Sequence, residues 1–146
     1  MTGAFFSRLM VTAIAGGQGI VPLFVDLNRT HATNPLWPGH ARFHLVQQVF
    51  TQLPAAAVAI ALLWWPGHAV RQRFYLAALL TATSLFGFLI ATLARPMYRG
   101  TLYDPNGIPP VRMQVGSRPI QVEINVVIIS VASVLLAAAL ALFRMP

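Results

Sequence analysis

Residues 44–65 read HLVQQVFTQLPAAAVAIALLWW, and residues 74–93 read FYLAALLTATSLFGFLIATL. Each run has the length of a helix that crosses the hydrocarbon core of a bilayer, about 20 mostly apolar residues. Only PGHAVRQR, residues 66–73, separates them. Trp64-Trp65 and Phe74-Tyr75 flank that turn where interfacial aromatics belong. The two runs therefore predict antiparallel neighbouring spans.

Two more windows qualify outward from this hairpin. Residues 4–25 predict a first span, with Arg8 near its start, rather than a cleaved leader. Residues 120–143 predict a fourth. The expected fold is all-α, an integral membrane four-helix bundle in one domain, 1–146. Four spans put both termini on one side and the long connections, 26–43 and 94–119, on the other. Connections of that length usually carry function.

Composition agrees. Of 146 residues, 57% are hydrophobic and 9% charged, and the mean hydropathy is +0.68. A soluble domain carries about 25% charged residues, so much of this exterior needs lipid as its solvent. The net charge of +7 comes from ten arginines against three acids. The arginines stand singly at the ends of apolar runs, from Arg8 to Arg144, as headgroup anchors do. No basic cluster follows a phosphate backbone, so nucleic acid is not an expected partner. With no cysteine, disulfides, thiolate nucleophiles, Cys-bound zinc and iron–sulfur clusters are excluded. The expected location is a bacterial inner membrane.

Polar side chains within spans mark sites by default. His40, His44, Gln47 and Thr51 fall within about 60° of one another on a helix, with Gln48 beside them. Such a stripe is expected to face protein, and Pro54 to kink the helix beyond it. In span 4, Ser117 is the expected N-cap with Pro119 in the first turn. Glu123, Asn125, Ser130 and Ser133 are expected to share a face there. Glu123, one to two turns into that helix, wants a histidine, Arg42 or a loop arginine as partner. The small-residue run Ala13–Gly19 suits close helix packing and a homo-oligomer.

Three chemistries fit these residues. Histidines at i, i+4 can chelate one metal, with Glu123 completing a two-His, one-carboxylate set. One neutral imidazole can be a haem axial ligand. Glu123 and a histidine can act as acid and base in a haem-free isomerase or cyclase. The bland alternative is a non-enzymatic assembly or binding subunit whose histidines sit in the headgroups and whose amides glue helices together.

The segment Trp37-Pro38-Gly39-His40-Ala41-Arg42-Phe43-His44 resembles the start of the second helix in styrene oxide isomerases, whose motif is Trp-Ala-Arg-x-His. The shared core is Ala41-Arg42-Phe43-His44. Gly87-Phe88, Pro96, Arg99-Gly100 and Pro105-Asn106 echo that family's Gly-Phe span and following loop. The resemblance implies a trimer that binds haem b between subunits. It implies ferric iron acting as Lewis acid while a small hydrophobic epoxide rearranges to a carbonyl compound. It makes His44 the axial ligand; His40, one turn earlier and nearer the headgroups, and Arg42, by its charge, suit further contacts to such a haem. Leu89 and Phe50 replace a tyrosine and an asparagine that orient the epoxide in that family. Gln47, Gln48, Tyr98, Tyr103, Glu123 and Asn125 are the polar residues left for that work. The pattern His-x-x-Asn-Pro-x-Trp-Pro-x-His-Ala-Arg-Phe-His, from His31 to His44, also resembles an uncharacterised family of four-span proteins.

Overall fold

A computed structural model describes residues 2–143; Arg144 lies outside the described residues. Four helices account for most of the chain: α1 (Thr2–Val25), α2 (Gly39–Trp64), α3 (Val70–Tyr98) and α4 (Ile124–Leu142). All four are long and apolar enough to span a membrane, and the protein is an integral membrane protein. Between α3 and α4 lies an antiparallel hairpin, β1 (Val111–Val115) and β2 (Arg118–Val122).

The helices run up and down. Close to the chain termini, Gly3 meets the Leu142 carbonyl, Arg8 donates to the Leu63 carbonyl, and Phe74 stacks on Phe143 with centroids 3.6 Å apart. At the other end Asn34 donates to the Asn106 carbonyl at 2.8 Å. The two long connections therefore meet on one side and the termini on the other. α1 packs mainly on α2 and α4, and α2 also on α3, whereas α3 and α4 touch less.

Small residues make the seams. Val49, Ala56, Ala59 and Leu63 form the buried edge of α2. Opposite them Gly19 of α1 lies so close that a Cβ there would stand 2.7 Å from that of Ala56. Gly16 and Gly17 have nothing within 4 Å of a Cβ, so of these three glycines Gly19 is the one that uses its smallness for packing within one chain.

The helix ends differ from the sequence reading at several points, and α3 already begins at Val70, within the expected turn. α2 begins at Gly39, in the turn that holds His40, because Pro38 presets φ at −55° and its carbonyl accepts from Arg42 N–H. α3 runs on through Pro96 to Tyr98. Pro96 cannot donate to the Thr92 carbonyl, and the Arg95 side chain donates there instead at 2.8 Å. Arg99 then ends the helix in the left-handed region, φ 57°. Gly100 follows, where a Cβ would strike the Tyr98 ring.

Span 4 needs the largest correction. The helix starts at Ile124, not at residue 120, and Ser117 and Pro119 belong to the hairpin rather than to a helix cap. Val111-Arg112-Met113-Gln114-Val115 alternates with period two, and Gly116, φ 61°, turns the chain back. Glu123 is consequently the N-cap residue of α4, outside the helical turns, and its carbonyl accepts from Val127 N–H at 3.2 Å. Asn125 and Ser130 lie about 140° apart around the helix, so the expected four-residue face does not form.

Candidate functional site

The first two turns of α2 carry the densest polar chemistry on a span. His40 and His44 sit one turn apart with Nε2 atoms 3.0 Å from each other. Their rings meet edge to face, centroids 4.4 Å apart, and Phe43 packs edge-on against His44 at 5.6 Å. Gln47, Gln48 and Thr51 continue the stripe, and the Thr51 hydroxyl donates to the Gln47 carbonyl at 2.8 Å.

This stripe does not face the chain's own helices. His40, His44, Gln47, Gln48 and Thr51 are all exposed, while Arg42 is half-buried. The reason is the seam described above: Val49, Ala56 and Ala59 are small enough for α1 and α3 to approach, and they turn the histidine stripe outward. The amide that turns inward is Gln52, which accepts from the Ser84 hydroxyl at 3.2 Å. Gln18 of α1 makes a second interior tie, donating to the Thr81 carbonyl at 3.1 Å. The sequence reading missed this inner layer; its signals were Gln52's spacing with Val49, Ala56 and Ala59, and Gln18's place beside Gly19.

The remaining candidates are dispersed. Tyr103 lies exposed in the α3–β1 loop and Asn125 exposed in the first turn of α4. Glu123, half-buried at its cap, is paired with none of His40, His44 or Arg42. Among the described residues no three of His, Cys, Asp and Glu gather as a metal cage. The two-His, one-carboxylate set is therefore not assembled within one chain.

The long loop forms a second cluster. Asn28 ends α1 by donating to the Phe24 and Val25 carbonyls. His31 Nδ1 is 2.8 Å from the Thr30 hydroxyl and 4.0 Å from Asp26 Oδ1, and its ring packs edge-on to Trp37 at 5.0 Å. Burial pushes the Asp26 carboxyl up from its ordinary value, and nearby His31 opposes the shift. Buried Asn34 accepts from Leu36 N–H and ties this loop to Asn106. Thus the His31–Asn34–Trp37 half of the pattern builds the loop, and the His40–His44 half presents side chains outward.

An apolar cleft of about 370 Å³ opens between α3 and α4, lined by Tyr75, Ala82, Leu85, Leu89, Ser133 and Leu136 among others. Ser133 spends its hydroxyl on the Ile129 carbonyl of its own helix, so the cleft offers shape and hydrophobicity rather than hydrogen bonds.

No curated protein and no solved structure matches the chain. Residues 9–140 match a family of unknown function, DUF6640, and over that length the chain belongs to this family.

Proposed function

We propose that the protein is a membrane-embedded isomerase that rearranges a small hydrophobic epoxide to a carbonyl compound, and that His44 holds the Lewis acid. The observation that carries this reading is the paired imidazoles on an outward stripe with Gln47 and Gln48. Polar groups on a lipid-facing surface are costly, so a second copy of the chain is the natural cover, and the trimer implied by the resemblance gives that arrangement. The matching location is a bacterial inner membrane.

The donor set fits haem b in its chemistry. An exposed imidazole opens the span and no thiolate competes, while half-buried Arg42, two residues earlier on another side of α2, adds a positive charge to the same helix end. His40 touches His44 through its Nε2 and would turn aside, which an exposed side chain can do. Bound there, ferric haem supplies a Lewis acid for the epoxide oxygen. The chain's own contribution is to orient and to keep dry: Gln47 and Gln48 offer amide donors along the stripe, and Phe43 and Phe50 flank it with apolar surface. Opening a C–O bond and shifting a hydride to the adjacent carbon conserves all atoms and electrons, so no external oxidant is needed.

One observation favours a second ligation. His40 and His44 stand one turn apart with their Nε2 atoms 3.0 Å from each other, and histidines at i, i+4 on one helix face can together hold one metal ion. A single first-row divalent ion held by both histidines would serve the same Lewis-acid role.

Visible spectroscopy and metal analysis of protein purified from haem-replete cells separate these readings. The haem reading expects a Soret band, lost together with epoxide turnover in His44→Ala and weakened in His40→Ala. Colourless protein with one metal ion per chain, lost in either variant, transfers the role to the divalent ion. Metal-free protein of either kind overturns both, and leaves the haem-free chemistry of Glu123 with a histidine or an assembly role.

A further inference from the structure

The hairpin is amphipathic in a way that the rest of the loop region is not. Its register places Val111 opposite Val122, Met113 opposite Ile120 and Val115 opposite Arg118. Directly paired residues share a face, so five apolar side chains lie together, with Arg118 at the turn. Arg112, Gln114, Pro119 and Gln121 occupy the other face. The apolar face is uncovered in the single chain: Met113 is 51% exposed and Val115 58%. A lone two-stranded ribbon is only marginally stable in water, and its apolar side needs a partner.

Two features identify that partner. Only Glu123 separates Val122 from Ile124, so the hairpin starts where α4 leaves the hydrocarbon and has no slack to move away from it. Within residues 111–122 there are two arginines and no acid, a charge that suits anionic headgroups. We propose that the hairpin lies in the lipid–water boundary, its apolar face against the acyl edge and its arginines among anionic phosphates. A helix with the same division of faces binds membranes in this manner; here the strand period does the sorting.

The chain has no cysteine, so single introduced cysteines report cleanly. Met113→Cys and Gln114→Cys carry an environment-sensitive fluorophore in proteoliposomes of zwitterionic lipid with or without anionic lipid. The expected result is quenching by acyl-chain spin-labelled lipid at least about two-fold stronger at 113 than at 114, with iodide showing the reverse. The Ile120→Cys and Gln121→Cys pair on the other strand should repeat the contrast, which guards against one variant misfolding. Anionic lipid should widen it, and Arg112→Gln with Arg118→Gln should narrow it. Equal quenching at adjacent positions in both pairs overturns the proposal. So does a residue 113 shielded from iodide yet unquenched by lipid, which would mean that a second copy covers the face.

Discussion

Replacing Gly19 by alanine tests the packing of the bundle at its tightest point. The added methyl carbon would lie 2.7 Å from the Ala56 Cβ, whereas its distances to Leu53 Cα and the Gln52 carbonyl, 3.6 and 3.7 Å, are ordinary. Carbon pairs settle at about 3.5–4.0 Å, so α1 and α2 must part by about 1 Å. The Ala56 Cβ is fixed to the backbone and cannot swing away. Overpacking of this kind costs about 1–3 kcal/mol. Against it stands the gain from removing a mid-helix glycine, about 0.5–1 kcal/mol. Gly16→Ala and Gly17→Ala receive that gain without the clash, since nothing lies within 4 Å of their new methyls. Gly19→Ala should thus be about 1–3 kcal/mol less stable than either control. Ala56→Gly in the same chain should restore most of the loss. Unfolding in mixed micelles, followed by circular dichroism against added denaturing detergent, measures all four. If Gly19→Ala unfolds with the controls and Ala56→Gly rescues nothing, the close α1–α2 contact is not there.

Two further outcomes concern the loops. Asn34→Ala removes the donor to the Asn106 carbonyl and the acceptor for Leu36 N–H; it should cost about 1–3 kcal/mol locally, seen as faster amide exchange in residues 26–38 and 104–107 together. Exchange rising in only one loop would show that the loops are not joined. The raised Asp26 carboxyl favours the folded loop when protonated: that contribution is complete below the ordinary value of 3.8 and is lost as pH climbs through the raised value. Asp26→Asn should therefore gain melting temperature over the parent as pH rises across that window, and a flat difference would remove burial as the cause.

The spans were legible because hydrophobic length is a property of sequence alone, and 44–65 and 74–93 needed no partner to be read. Their boundaries depended on backbone detail. The end of α3 was hidden because Pro96 reads as a breaker until Arg95 is seen to cap the carbonyl it abandons. The hairpin was hidden because β1 lay in the long connection and the end of β2 ran into the apolar window from residue 120, although the alternation through Val115 and the Gly116-Ser117 turn were there to be read. The polar stripe at His40, His44, Gln47 and Thr51 was correctly grouped by helical spacing. Within one chain it turns away from the other helices, because direction is set by what neighbours can approach. Gln52 and Gln47 look alike in sequence, and only the alanines beside Gln52 decide which one turns inward.

The inner ties also order how the chain is built. Membrane proteins emerge from the amino terminus, so α1 and α2 are complete while Thr81 and Ser84 are still unsynthesised. Until then Gln18 and Gln52 have no interior partner, since both find theirs on α3. A two-helix intermediate must shelter both amides in water, headgroups or the insertion machinery. The arrival of α3 closes them off in one step. Among the described residues α4 brings no comparable polar tie; its Ser133 bonds within its own helix. It joins last by shape, with Phe143 stacking on Phe74 as a closing latch.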